Sequence, residues 1–229
     1  MSAQIGTLTV RFPLSGEWCA VNTPGFKVPS HGTNQLGQRY AYDFFQIDWN
    51  RKNGYKFFRG SILKGVLFGV SLKDTYCWSK PIYAPFDGEV VEAKDGCKER
   101  NPVHILRDMA IVIKNGFIFK AESNEDLHSV LGNYIILKSG DTFALIAHAR
   151  EGSLKVSNGE MVSEGQELAQ VGHSGNSSAP HLHFQLMDNS NLLEAKGLPC
   201  CFKKYESYKN GKWETVINGI PGKRERIRA

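Results

Sequence analysis

Apolar and polar residues alternate with period two along most of this chain. Thr7–Phe12, Arg39–Ile47, Gly88–Ala93, Met109–Ile113, Asn133–Lys138, Thr142–His148, Gln166–Gly172 and His181–Met187 carry the alternation between Gly, Asn, Asp or Pro boundaries. That pattern predicts short strands. Asn50–Ser79 breaks it, being Lys-rich, aromatic and punctuated by Gly, and reads as an excursion from the sheet. Gly96–Arg107 and Phe117–Gly132 read the same way, and Ser123-Asn124-Glu125-Asp126-Leu127 offers a Ser or Asn cap for a short helix. No low-complexity linker divides the chain, and nothing recurs at a period of about 20–50 residues. A mainly β, single domain spanning 1–229 is therefore expected, with insertions at 50–79 and 97–132. A length of 229 residues agrees, since β domains of about 200–250 residues are common.

Composition narrows the class further. Hydrophobic residues at 41% and charged residues at 22% exclude a disordered chain and a coiled coil. The net charge of +5 favours encounter with an anionic polymer without naming one. No strand interleaves Arg with aromatics, so nucleic acid is not an expected partner. The one dense basic run, Lys223-Arg224-Glu225-Arg226-Ile227-Arg228, reads as a solvated tail. Five cysteines, an odd number with no C-x-x-C, read as reduced thiols and not as a disulfide framework. The longest apolar stretch, Ser61–Leu72, is broken by Lys64 and falls short of the roughly 20 residues that a spanning helix needs. The amino terminus lacks the charged start and apolar run of a secretory signal.

The densest chemistry lies in Gly172-His-Ser-Gly-Asn-Ser-Ser-Ala-Pro-His181-Leu-His183-Phe-Gln-Leu186. A Gly/Ser/Asn/Pro turn leads into a strand on which Leu182, Phe184 and Leu186 share one face. His181, His183 and Gln185 share the other. Side chains at i and i+2 sit about 6.6 Å apart along a strand, so one ring can hold a metal while its neighbour reaches water or substrate. Asp43 falls in the row of Ala41, Phe45 and Ile47, where a carboxylate is costly unless paired or coordinating a cation. His148 follows Ala144 and Ile146 in the same manner. Taken singly, an ion pair of Asp43 with Arg39, or a backbone bond from a strand-end histidine, explains each as well. Together with His181 and His183, they supply the N and O donors of a catalytic zinc site with an open position.

These residues resemble the lysostaphin-type, LytM-like zinc endopeptidases that cut peptide bonds in bacterial peptidoglycan. Pro81-Ile-Tyr-Ala-Pro-Phe-Asp-Gly-Glu-Val-Val91 is similar to the family's strand pair, and Leu145-Ile-Ala-His148 to its Y-A-H strand. Val156–Gly172 resembles its glycine-punctuated approach, and Ser174–Phe184 its S-G-x-S-T-G-P-H-L-H-F motif. The resemblance implies a curved antiparallel sheet of the duplicated-hybrid-motif kind, one Zn2+ per chain, peptidoglycan peptides as substrate and a monomer. It also implies action in the cell envelope or after secretion. It makes His183 and Asp43 metal ligands and His148 and His181 the non-ligating pair beside the reactive water. The departure is the last ligand. Members place a His four residues before the Asp, where this chain has Arg39, which offers no lone pair. His31, twelve positions before Asp43, is the nearest upstream donor, and the intervening loop makes it the expected ligand. His104, His128 and His173 are weaker candidates, the last reading as a loop residue at the cleft edge. A bound zinc would acidify its water and polarise the scissile carbonyl, with His148 and His181 sharing proton transfer and oxyanion stabilisation. A non-catalytic wall-binding relative that regulates another hydrolase is the alternative implied by the same fold.

Overall fold

Runs of β-branched and aromatic residues between Gly and Asn boundaries build a mainly β molecule, and the computed structural model describes residues 7–50, 55–118 and 127–229. The strands are, in the amino-terminal half, β1 (Leu8–Val10), β2 (Glu17–Asn22), β3 (Tyr42–Phe45), β4 (Pro81–Tyr83) and β5 (Gly88–Lys94). They continue with β6 (Asn133–Ser139), β7 (Thr142–Ala149), β8 (Met161–Val162), β9 (Glu167–Gln170) and β10 (Leu182–Met187). The last are β11 (Gly197–Leu198), β12 (Cys200–Lys209), β13 (Lys212–Gly219) and β14 (Arg226–Arg228). The α-helices are α1 (Ile62–Phe68), α2 (Ile105–Ile118) and α3 (His128–Leu131). One large sheet runs β1, β12, β14, β2, β3, β10, β7, β6, β5, β8, and β4 pairs with β9 apart from it. Pairing is antiparallel from β12 through β8, with β1 parallel to β12.

Alternation sorts the central strands into two faces. Tyr42 and Phe44 of β3, Ala144 and Ile146 of β7, and Leu182, Phe184 and Leu186 of β10 enter the core with Phe12, Trp18 and Phe202. Asp43, Phe45 and the H-x-H pair line the opposite side, which opens as the cleft. The apolar row thus decides the direction of the imidazoles. All five cysteines are free thiols, and burial pushes those of Cys19, Cys77 and Cys200 up to about 12. Among the described residues, no helix is long and apolar enough to cross a membrane.

Several expectations need correcting. Met109–Ile113 is not a strand but part of α2. Over a wider window, Ile105, Met109, Val112 and Ile113 recur at three and four residues, and Asp108 accepts the His104 backbone N–H at 2.8 Å in the first turn. Five residues are too few to separate the two periods. Arg39–Ile47 yields a strand only over Tyr42–Phe45, because Gln35–Tyr40 coils into 3-10 turns. The basic run at the carboxy terminus is not a solvated tail: Arg226–Arg228 forms β14 between β12 and β2, with Ile227 fully buried. Its guanidiniums stay near the surface, where Arg226 pairs with Glu17 and Arg228 with Glu206. The expected Ser123/Asn124 cap lies outside the described residues.

The described parts of 50–79 and 97–132 pack against each other. Phe57, Phe58, Val70, Leu72 and Val103 form a small cluster with Ala179, and Val70 bridges Val103. Asp108, wholly buried, anchors this lobe by accepting from Arg100 Nε at 2.8 Å and Arg107 Nε at 3.0 Å. Burial would raise its carboxyl, but bonds from His173, Arg107, the His104 amide and Arg100 outweigh that and hold it below its ordinary value. Asp108 therefore contributes stability that is complete above the unfolded-state value of about 4 and is lost as pH falls below it. Urea midpoints measured from pH 6 to pH 3 should fall more steeply for the wild type than for Asp108→Asn. Equal slopes would contradict this linkage.

Candidate metal centre and cleft

His183 of β10 stands directly opposite Asp43 of β3 in the antiparallel register, so both side chains leave the sheet on one side. His183 Nδ1 lies 2.9 Å from Asp43 Oδ1, and His31 Nε2 lies 2.9 Å from Oδ2. Asn22 of β2 donates to Oδ2 at 2.6 Å, and His181 Nε2 is 3.6 Å from Oδ1. Among the described residues, His31, Asp43 and His183 offer ligand atoms within 4.8 Å of one another. The sequence-level alternative for Asp43 fails, because Arg39 turns away to Asn34 and Tyr40.

His31 reaches this point because its loop is tied at the base. The Ser30 amide donates to Arg39 O at 3.0 Å, and Ser30 Oγ donates to Ala41 O at 2.7 Å. These contacts bring the residue after Ser30 beside the start of β3, although twelve positions separate His31 from Asp43. Left-handed Leu36 and Gly37 turn the loop over β10, where Gln185 Nε2 donates to Leu36 O at 2.7 Å. A Cβ on Gly37 would sit 2.7 Å from that nitrogen, so the close approach requires glycine.

His148 arrives by a different device. Regular alternation would send it toward the core with Ala144 and Ile146, as the sequence reading had it. Instead, β7 shifts register against β6 between Ile146 and Ala149, and His148 adopts φ +62°. This bulge lets His148 turn into the cleft beside Ala147, which packs in a second buried cluster, before Ala149 returns to the main core. A left-handed histidine is strained by about 1 kcal/mol or more, which marks a position that the surroundings over-determine. His148 and His181 then stand with ring centroids 4.8 Å apart, and Phe45 stacks on His181 at 4.7 Å.

Each imidazole has one nitrogen committed to an acceptor on the protein side. Nδ1–H of His31 donates to Ser30 Oγ at 3.1 Å, that of His148 to Ser174 O at 3.0 Å, and that of His181 to Ala179 O at 2.7 Å. His183 donates through Nε2–H to Gln185 Oε1 at 3.0 Å. The other nitrogen of each ring faces the cleft, where those of His31 and His183 meet the Asp43 oxygens at 2.9 Å and could instead give a lone pair to a metal, as metal-binding and base-type histidines do. The two imidazole nitrogens lie 2.9 Å from different Asp43 oxygens, and one ligand atom from each of the three residues falls within 4.8 Å of the others. Two imidazoles and one carboxylate are donors that suit a zinc ion.

Electrostatics follow from burial and from the carboxylate. Burial would raise Asp43, but the His31 charge and the bonds from His181, His183 and His31 hold it well below the usual carboxylate range. Burial lowers His183, yet the Asp43 bond and charge raise it above its ordinary value. His148 is pushed far down, first by burial and then by the charges of His181 and His183, so its ring stays neutral.

The cleft encloses about 620 Å³. The proposed ligands and the histidine pair form its floor, and Met109 and Val112 of α2 with Val130 and Leu131 of α3 form an apolar wall. Sequence reasoning missed Asn22, whose strand it did not foresee, and gave Gln185 no role although that residue shares the H-x-H face. It misplaced His173, which is fully buried beneath the 174–178 turn and not at the cleft edge. His104 and His128 lie outside the ligand cluster.

Peptidase family M23 matches residues 109–195. Peptidoglycan DD-endopeptidase ShyA of Vibrio cholerae is 32% identical over 68 residues, which are 30% of this chain and 16% of that protein. A zinc containing peptidase from Vibrio cholerae aligns at 19% identity over 62% of this chain and 35% of its own, with a TM-score of 0.33. The catalytic domain of lysostaphin from Staphylococcus simulans aligns at 18% identity over 80% of this chain and 88% of its own, with a TM-score of 0.38. The chain thus corresponds to only a minor part of each Vibrio protein. The stretch that matches peptidase family M23 is the one that brings His148, His181 and His183 to the cluster.

Proposed function

We propose that the chain is a zinc-dependent endopeptidase that hydrolyses peptide bonds of bacterial peptidoglycan. The observation that carries this reading is the convergence of His31, Asp43 and His183 beside His148 and His181 at the floor of one cleft. The M23 segment and the likeness to a peptidoglycan endopeptidase support the substrate class. In this reading, residues 1–229 form one metallopeptidase domain with insertions at 50–79 and 97–132, of which α2 and α3 line the cleft while Phe57, Phe58, Val70 and Leu72 pack with Val103. Its place of action is the cell envelope or the medium outside it.

His31 Nε2, the Asp43 carboxylate and His183 Nδ1 would hold one zinc per chain. When bound, zinc supplies Lewis acidity, polarising a carbonyl and acidifying water. His148 and His181, each with its cleft-side nitrogen unprotonated, flank that position. One takes a proton from the attacking water, and the proton so gained lets the pair donate first to the developing oxyanion and then to the leaving amine. The net change forms one C–O bond and breaks one C–N bond, with one water proton ending on the amine. Incubating the purified protein with isotopically labelled peptidoglycan should release new amino termini, and metal analysis should return one zinc per chain. Stoichiometric zinc without any new termini would overturn hydrolysis in favour of a binding role.

A further inference from the structure

Asp108 belongs to the inserted lobe, yet its carboxylate connects to the cleft through buried side chains. His173 Nε2 lies 3.4 Å from Asp108 Oδ2, and His173 Nδ1 lies 3.1 Å from Ser177 Oγ. Ser177 Oγ in turn lies 3.1 Å from His181 Nδ1. Asp108, His173 and Ser177 are all fully buried, so no bulk water completes their bonding. We propose that Asp108, His173 and Ser177 are positioning residues that fix His181 with its proton on Nδ1 and its Nε2 lone pair turned into the cleft.

Donor and acceptor bookkeeping sets the direction of the chain. Asp108 is paired with Arg100 and Arg107 and is therefore an acceptor only, so His173 must present Nε2–H to it. Two guanidiniums already balance the carboxylate, which leaves no charge to hold a buried imidazolium, and burial keeps His173 below its ordinary value. A neutral ring protonated at Nε2 has an accepting Nδ1. The Ser177 hydroxyl has one proton and two acceptors in reach, Ala179 O at 2.7 Å and His173 Nδ1 at 3.1 Å, and giving it to Nδ1 leaves no buried ring nitrogen unpaired. Turned that way, Ser177 Oγ accepts from His181 Nδ1–H, which it shares with Ala179 O at 2.7 Å. Every bond then points from His181 toward Asp108. Reversing any one of them leaves a buried nitrogen or oxygen facing a like group, a cost of about 1–3 kcal/mol. The lobe that walls the cleft thereby also orders a ring on its floor.

The inference rests on the endopeptidase reading, so the test uses one readout that needs no turnover. In the zinc-loaded protein at neutral pH, long-range 1H–15N spectra should show His173 protonated at Nε2 alone and His181 at Nδ1 alone. In Ser177→Ala, the His181 nitrogens should move toward the shifts of a tautomer mixture. Kinetically, Ser177→Ala and, independently, His173→Phe should keep zinc and KM while kcat falls about tenfold, within the range of about 10–100-fold for partners that orient a functional ring. Neither change should cost anything further in a His181→Ala background, because both act through that ring. His173 protonated at Nδ1, His181 shifts unmoved by Ser177→Ala, or a kcat loss that persists undiminished without His181 would overturn the chain. If the wild type cuts no peptide, the endopeptidase reading falls, and the spectra alone decide this inference.

Discussion

His148→Ala is expected to keep its zinc and to lose turnover by about 10²–10⁴-fold, the range for general acid–base assistance. His148 Nδ1–H is committed to Ser174 O, and the ring stands beside the ligand cluster, not within it. Removing it leaves the coordinating groups in place and deletes a proton acceptor. His183→Ala should behave differently. It removes one of three donors and leaves the Asp43 carboxylate without the bond at 2.9 Å, so metal content and activity should fall together. His181→Ala should resemble His148→Ala, retaining zinc and losing about 10²–10³-fold or more. Because both rings serve one transition state, the double variant should lose less than the product of the single losses. Zinc content and hydrolysis measured on the same preparations decide the matter. Loss of zinc in His148→Ala, or full activity there, would overturn this division of roles.

Gly175→Ala should destabilise the protein by about 2–5 kcal/mol, a figure that combines overpacking of about 1–3 with a left-handed backbone costing about 1–2. Gly175 has φ +64°, and a Cβ there would sit 2.2 Å from Gly132 N and 2.6 Å from Val130 O. Both are backbone atoms, so no rotamer change relieves the contact. The turn containing Gly175 is docked on the α3–β6 corner from several directions. Asn133 N donates to Ser174 Oγ at 2.9 Å, Ser174 Oγ to Ala149 O at 2.8 Å, and Asn176 N to Val130 O at 2.7 Å. Pushing this turn outward also displaces Ser174 O, the acceptor that orients His148, so activity should fall with stability. Gly152→Ala is the control, because Gly152 has φ +69° with nothing within 4 Å of its Cβ position and should lose only about 1–2 kcal/mol. Urea midpoints for both variants test the contrast, and equal losses would show that the close approach contributes nothing.

Much of the cleft floor was legible because regular strands translate sequence parity into facing. Leu182, Phe184 and Leu186 needed the core, so His181 and His183 had to face the other way, and the structure places them so. Asp43, between Tyr42 and Phe44, followed the same rule. The rule failed wherever the backbone left regularity. His148 reaches the cleft only because a bulge at φ +62° breaks the alternation that would have buried it. Met109–Ile113 alternates over five residues yet lies in a helix whose longer period decides. The basic run ending the chain carried one apolar residue, Ile227, too little pattern to reveal a strand that completes the sheet.

The amino-acid sequence alone determined the mainly β class, the face taken by the H-x-H pair and the chemical kinds of donor available. Those follow from side-chain period and functional groups, both local properties. The sequence named His31 as the nearest upstream donor, but only the tertiary structure supplies what brings it to Asp43. Backbone and hydroxyl bonds join Ser30 to Arg39 and Ala41, and Gln185 captures Leu36 O. Tertiary structure also decided that His173 is enclosed and joined to Asp108 from a distant insertion. Such contacts depend on how loops close across the folded sheet, and loop closure leaves no periodic trace in the chain.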